Sequence, residues 1–361
     1  MMDHCPKSSL ANISVLSLVV VGILYLYVSS NYPSLGYGCA IPVANSDVRP
    51  YDAPPPPADE LGRALQMAAK ADRTVILTVV NEAYTEQDVN SDKTMLDLFV
   101  DSFWLGDGTR HLLDRLLVVA VDRTAYRRCR FRRLNCYRLE TEGEGRDEKL
   151  YMSEGFVRMM WRRTQFLGEV LRKGYNFIFT DTDVMWLRNP FPWLSNNVTV
   201  DLQISTDKFN GDPWSERNPI NTGFYFVRSN NRTTSLFDAW YGRKANSTGK
   251  KEQDVLIDLM HEGLFQRLGL RVRFLDTDYF SGFCRDSKDF DRVATVHSNC
   301  CRSIKAKVFD LSVVLRDWKR YKWRRGQRKV AGGRNGTGSY NRWTPHVGCW
   351  RAWRTTPQQK Q

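Results

Sequence analysis

Between residues 74 and 274 the chain alternates short apolar runs with longer amphipathic stretches. TVILTVV (74–80), LLVVAVD (116–122), NFIFTD (176–181), DLQIST (201–206), GFYFV (223–227) and LRVRF (270–274) read as strands. Helical periodicity occupies a short stretch from Glu60, a second near Met95–Trp104 and a third over Gly155–Arg172. Strands separated by helices predict an α/β fold whose mostly parallel sheet is joined by right-handed crossovers. No internal repeat is present.

The ends of the chain follow other rules. Leu10–Val28 is an uncharged stretch close to the roughly 20 residues that span a bilayer. Lys7 precedes it and no basic residue follows until Arg49, which predicts a signal anchor with a cytoplasmic N-terminus. A cleaved signal peptide is the alternative. The expected organisation is a cytoplasmic tail (1–9), a transmembrane helix (10–28), a stiff Pro-rich stem (29–59), a globular domain (60–318) and a basic Trp/Arg-rich tail (319–361). The formal charge of +13 suggests nucleic acid until it is located. From Arg316 onward 13 Lys/Arg stand against the single Asp317, so the rest of the chain is nearly neutral. On a luminal protein such a tail suits an acidic polysaccharide, and nucleic acid is not an expected partner. Cys129 and Cys136 bracket a short basic loop and form the simplest disulfide to propose, with Cys284 and Cys300 as further candidates. Sequons at Asn197, Asn231, Asn246 and Asn335 fit a luminal chain.

The candidate chemistry starts in FIFTDTDVMWLRNPF (177–191). The strand Phe177-Ile178-Phe179 leads directly into Asp181 and Asp183, at the strand end where open α/β sheets bind ligands. Two carboxylates two residues apart on an extended segment point the same way, and like charges held close need a cation or a shared proton between them. A metal site, an acid/base pair and a solvated loop all satisfy that pattern. A dehalogenase-type phosphatase would need Thr or Val where Met185 stands, and would carry its motif on the first strand. Further along come INTGFYFVRSN (220–230), KEQDVLIDL (251–259) and VHSNCC (296–301) with His297. Carboxylates with one imidazole and open positions suit Mn²⁺ or Mg²⁺ bound together with phosphate oxygens.

The DxD pair, the NTGF turn, the QD helix and the HxNCC segment together resemble the plant nucleotide-diphospho-sugar transferases of glycosyltransferase family 77, over about Val75 to Trp318. That family includes rhamnogalacturonan xylosyltransferases and extensin arabinosyltransferases. The resemblance implies a GT-A-type, Rossmann-like mixed sheet flanked by helices, in a single-pass type II Golgi membrane protein with a luminal catalytic domain. It implies retaining, metal-dependent transfer of a pentose such as xylose or arabinose from a nucleotide-sugar donor to a cell-wall polysaccharide or glycoprotein acceptor. Carried over by position, Asp183 and His297 would ligate the metal, and Asp181 would share it or contact the ribose. Lys307 would neutralise the diphosphate. Asn81 and Glu82 would lie near the base and ribose, Arg162 or Arg163 near the sugar phosphate, and Gln253 and Asp254 would face the sugar. Glu252 and Ser303 stand where the family usually has Asp and Gly. A relative that has lost catalysis and only binds sugar or polyanion is the alternative.

Overall fold

TVILTVV forms β1 (Thr74–Val80), and six further strands join it in the order β3-β2-β1-β4-β7-β6-β8. These are β2 (Leu116–Ala120), β3 (Asn135–Arg138), β4 (Asn176–Thr180), β6 (Leu202–Thr206), β7 (Ile220–Val227) and β8 (Val272–Phe274). β1, β2, β3 and β4 pair in parallel, and β6 with β8 likewise, whereas β7 runs antiparallel to both its neighbours. The sheet is therefore mixed but rich in parallel pairs. The computed structural model describes residues 59–86, 92–140, 154–330 and 342–355, together with Val21. Apart from Val21 and Asp59, the helix expected over Leu10–Val28 and the stem lie outside the described residues, as does Asn335. Among the described residues no helix is long and apolar enough to cross a membrane.

Successive side chains of a strand face opposite ways, and here both faces are covered. Val75, Leu77, Phe177 and Phe179 pack on one face against α1 (Glu60–Ala68), α5 (Glu154–Arg172), α6 (Asn231–Gly242) and α7 (Glu252–His261). Ile76, Val80 and Ile178 point the other way, toward α3 (Met95–Leu105) and α9 (Ile304–Val330). α2 (Glu82–Thr85) and α4 (Arg123–Phe131) flank β1 and β2, and α8 (Leu264–Arg267) precedes β8. The helices start where side chains can satisfy their unpaired N–H groups: Thr94 with Asp97 caps α3, Asn230 with Thr233 caps α6, and Asp122 caps α4.

A second sheet matters more for function. β5 (Val184–Trp186), β10 (Thr295–His297) and β9 (Phe280–Gly282) form three short strands, β10 antiparallel to β5 and parallel to β9. β5 follows β4 after only three residues, so the chain leaves one sheet and enters the other through Asp181-Thr182-Asp183.

One expectation from sequence changes here. The boundary after Trp318 falls inside α9, which runs on to Val330. Beyond it Tyr321 is buried, Trp343 stacks on Phe290 with ring centroids 3.9 Å apart, and α10 (Val347–Thr355) is tied back by a Cys301–Cys349 disulfide. The described part of the basic tail thus adds aromatic packing to the domain that bears it. The other two disulfides join Cys129 to Cys136 and Cys284 to Cys300.

Candidate active site

The two aspartates do not lie on an extended strand, as the sequence suggests. The Val184 N–H donates to the Asp181 carbonyl at 3.2 Å, closing a tight turn between β4 and β5. β4 registers Thr180 against Phe224 of β7, and the Asp181 N–H donates to the Gly223 carbonyl at 2.8 Å. β5 registers Val184 against His297 of β10, and the Ser298 N–H donates to the Asp183 carbonyl at 3.1 Å. Two sheets therefore fix the same turn from opposite sides and bring residues more than a hundred positions apart together.

Each carboxylate is held by its outer oxygen. Arg163, from α5, donates Nη1 to Asp181 Oδ1 at 2.9 Å. Asp183 Oδ2 accepts from Lys307 Nζ at 2.6 Å and from Ser298 Oγ at 2.9 Å. The inner oxygens are left facing His297: its Nε2 lies 3.3 Å from Asp183 Oδ1 and 4.0 Å from Asp181 Oδ2. One ligand atom from each of the three residues lies within 4.8 Å of the others, so a divalent ion fits among them with small side-chain adjustments.

The electrostatics agree with that division. Burial pushes Asp181 above the usual carboxylate range, with Arg163 opposing and Asp183 adding to the rise. Burial acts on Asp183 too, but Lys307 and then His297 hold it well below that range. Burial would lower His297, and Asp183 overcomes it, so the imidazole sits above its ordinary value. Arg163 makes a second contact, from Nη2 to Glu252 Oε1 at 2.6 Å, and its guanidinium lies 4.5 Å from the Phe179 ring centroid. Both side chains of this pair are almost fully buried, at 4% and 3% exposed.

These groups line a cavity of about 310 Å³, together with Asn81, Asp207, Gln253 and Arg302 among others. Its lining carries four basic residues (Arg163, Lys251, Arg302, Lys307) and four acidic ones (Asp181, Asp183, Asp207, Glu252). With neutral His297 it has no net charge. A dication would give it two positive charges, which matches a nucleotide diphosphate.

Among the residues singled out from sequence, Asn81, Arg163, Asp181, Asp183, Gln253, His297 and Lys307 converge on the cavity. Asn81 is 2% exposed, and neither atom of its amide is paired within the protein. Gln253 Oε1 accepts from the Thr222 N–H at 3.0 Å, which fixes the amide orientation and leaves its NH₂ for a ligand. Three residues lie elsewhere. Asp254 takes the Lys251 N–H at 3.3 Å as a cap of α7. Arg162 pairs with Glu169 along α5 at 3.3 Å. Glu82 opens α2, its N–H bound to Asp122 at 2.6 Å, and is outside the cavity lining. Sequence reasoning missed Ser298, and it missed the amides of Asn221 and Asn299 that both bond Asp207 Oδ1, at 2.8 and 2.7 Å. Asn221 and Asn299 are themselves part of the NTGF and HxNCC motifs and Ser298 stands between His297 and Asn299, which was the available signal. Asn197, Asn231 and Asn246 are exposed.

The family model for nucleotide-diphospho-sugar transferases matches residues 111–311. An uncharacterised Arabidopsis thaliana protein is 54% identical over 304 residues, covering 83% of this chain and 86% of its own. A second uncharacterised protein of the same plant is 38% identical over 304 residues, covering 84% and 77%. The Arabidopsis beta-arabinofuranosyltransferase RAY1 is 27% identical over 235 residues, covering 61% of this chain and 41% of its own.

Proposed function

This chain belongs to the nucleotide-diphospho-sugar transferase family of glycosyltransferases, and we propose that it moves a pentose from a nucleotide diphosphate to a cell-wall polysaccharide or glycoprotein, with Mn²⁺ or Mg²⁺ bound by Asp181, Asp183 and His297. The observation that carries the metal is the pairing of each outer carboxylate oxygen with a protein cation, while the inner oxygens and the imidazole are left converging. When bound, the ion would offset charge gathering on the departing nucleotide, a kind of stabilisation that is often the largest catalytic contribution. Lys307 holds Asp183 in place and stands beside the diphosphate position. The unpaired Asn81 amide is set to read the base or ribose. Gln253 presents its NH₂ to the sugar. The pentose rests on the arabinofuranosyl activity named for one relative.

Retention of anomeric configuration is part of the proposal. Inversion needs a free carboxylate to deprotonate the acceptor, and every carboxylate lining the cavity is engaged. Asp181 and Asp183 face the metal position, Glu252 holds Arg163, and Asp207 holds two amides. We also place the domain in the Golgi lumen behind the Leu10–Val28 anchor. Three disulfides and three exposed sequons support an oxidising compartment.

The test is nucleotide release from a panel of nucleotide pentoses and hexoses, with Mn²⁺ or with EDTA, alongside calorimetric Mn²⁺ titration. Asp183→Asn should abolish both Mn²⁺ binding and transfer and leave the protein folded. Undiminished turnover in EDTA would overturn the metal-dependent reading.

A further inference from the structure

A second concave surface lies at the other end of the sheet. It is a groove of about 720 Å³ between the C-terminal turn of α3, the segment entering β2 and the loop joining α4 to β3. Asn81 and Asp181 follow the C-terminal ends of β1 and β4, whereas this groove faces the N-terminal ends of β2 and β3. A strand of five residues separates those edges by roughly 17 Å, so the groove is not part of the nucleotide cavity.

Its walls combine aromatic faces with arginines. Trp104 and Phe131 are 53% and 76% exposed, unusual for side chains of that size. The Arg110 guanidinium stacks 4.2 Å over the Trp104 ring centroid. Arg132 is paired with Asp97 at 3.1 Å, and the groove's one carboxylate, Asp114, lies 3.9 Å from Lys70. Among the described residues, no carboxylate pairs with Arg110 or Arg133. Arg133 also sits at φ 56°, the left-handed region that non-glycine residues seldom adopt. The Cys129–Cys136 disulfide closes this same loop and holds Phe131, Arg132 and Arg133 in the groove wall. A strained arginine and an exposed phenylalanine on a stapled loop oppose folding economy, which points to a ligand for them.

We propose that this groove binds a chain of uronic-acid residues, its rings packing on Phe131 and its carboxylates meeting Arg133 and the Arg110 guanidinium held over Trp104. Sugar rings offer flat C–H faces to aromatic side chains, and guanidinium groups match carboxylates with two parallel hydrogen bonds. Concavity favours a polymer strand over a membrane, which would meet a convex aromatic surface. The site goes beyond the transfer reaction and is tested by binding alone, so its failure leaves the donor-site reading untouched.

The probe is an oligogalacturonate, titrated calorimetrically and by tryptophan fluorescence into the full chain, with the fully methyl-esterified oligomer and anionic phospholipid vesicles as comparisons. Arg133→Gly removes the cation and relieves the left-handed backbone together, so lost binding cannot be lost folding. It should weaken oligogalacturonate binding roughly tenfold, as should Arg110→Gln, while thermal stability and donor hydrolysis stay at wild-type levels. Wild-type affinity in both variants would overturn the proposal. So would equal binding of the methyl ester, or binding to vesicles but not to the oligomer.

Discussion

Replacing Gly223 by alanine tests how the metal position is built without touching a ligand. Gly223 lies in β7, and its carbonyl accepts the Asp181 N–H at 2.8 Å. A Cβ at this position would lie 2.3 Å from His297 Cε1 and 2.8 Å from its Nδ1. Carbon atoms in contact stand about 3.5–4.0 Å apart, so the 2.3 Å approach requires the imidazole to withdraw by about 1.2 Å. The backbone cannot relieve this, because β10 is paired at His297 on both sides, with Val184 and with Gly282. The ring must therefore turn, and Nε2 leaves Asp183 Oδ1. Ligand distances at a metal tolerate about ±0.2 Å, several times less than the displacement. Loss of a mere supporting contact costs 10–100-fold in metal affinity, so displacing a ligand should cost at least about 100-fold, or roughly 2.7 kcal/mol.

The assay is calorimetric Mn²⁺ titration of Gly223→Ala below its unfolding midpoint. Overpacking of this kind destabilises a fold by about 1–3 kcal/mol, so the protein remains folded and the titration is interpretable. Gly326→Ala is the control, since an added Cβ there meets nothing within 4 Å. Wild-type Mn²⁺ affinity in Gly223→Ala would refute the claim that His297 ligates from the position it occupies here.

Two further substitutions probe the supports of the site. Glu252→Gln breaks a buried ion pair with Arg163, and such losses run to about 3–5 kcal/mol; with Asp181 still holding Arg163, the lower end is expected, read as a fall in chemical-denaturation stability, and unchanged stability would show the pair to be dispensable. Trp318→Ala removes a fully buried indole of α9 whose Nε1 donates to the Leu105 carbonyl at 3.2 Å; it should cost about 3–5 kcal/mol, and unchanged stability would show that α9 does not hold the domain together.

The central strands were legible because burial on both faces leaves them apolar at nearly every position, and no helical reading accommodates TVILTVV between its polar neighbours. β3 was not, because NCYR is a half-buried edge strand whose polar residues carry no period-two signal. α4 was also hidden: RTAYRRCRF buries only Ala125 and Cys129, so its helicity shows in the Asp122 cap and not in an apolar stripe. The three strands of the second sheet span three residues each, too few for any periodicity. They exist through tertiary pairing, and it is this sheet that delivers His297 to the aspartates.

The position of Glu252 shows where the limits of sequence lie within the site itself. From the motif alone it reads as a departure from the resembled family, a glutamate one methylene longer than the usual aspartate. In the structure its Oε1 meets Arg163 from α5 and Thr222 from β7, at 2.6 and 3.1 Å. Arg163 in turn fixes Asp181. An aspartate here, with the same backbone, would fall short of the guanidinium by about one C–C bond, roughly 1.5 Å, and the charge-assisted contact would be lost. The longer side chain thus takes on the job of orienting Arg163, and through it the carboxylate that faces the metal position. On the proposed function, donor selectivity at this point would then fall to Gln253, whose Oε1 is held by the Thr222 N–H. No pattern in one sequence encodes that exchange of roles, because its partners stand 89 and 30 residues away and meet only once both sheets have formed.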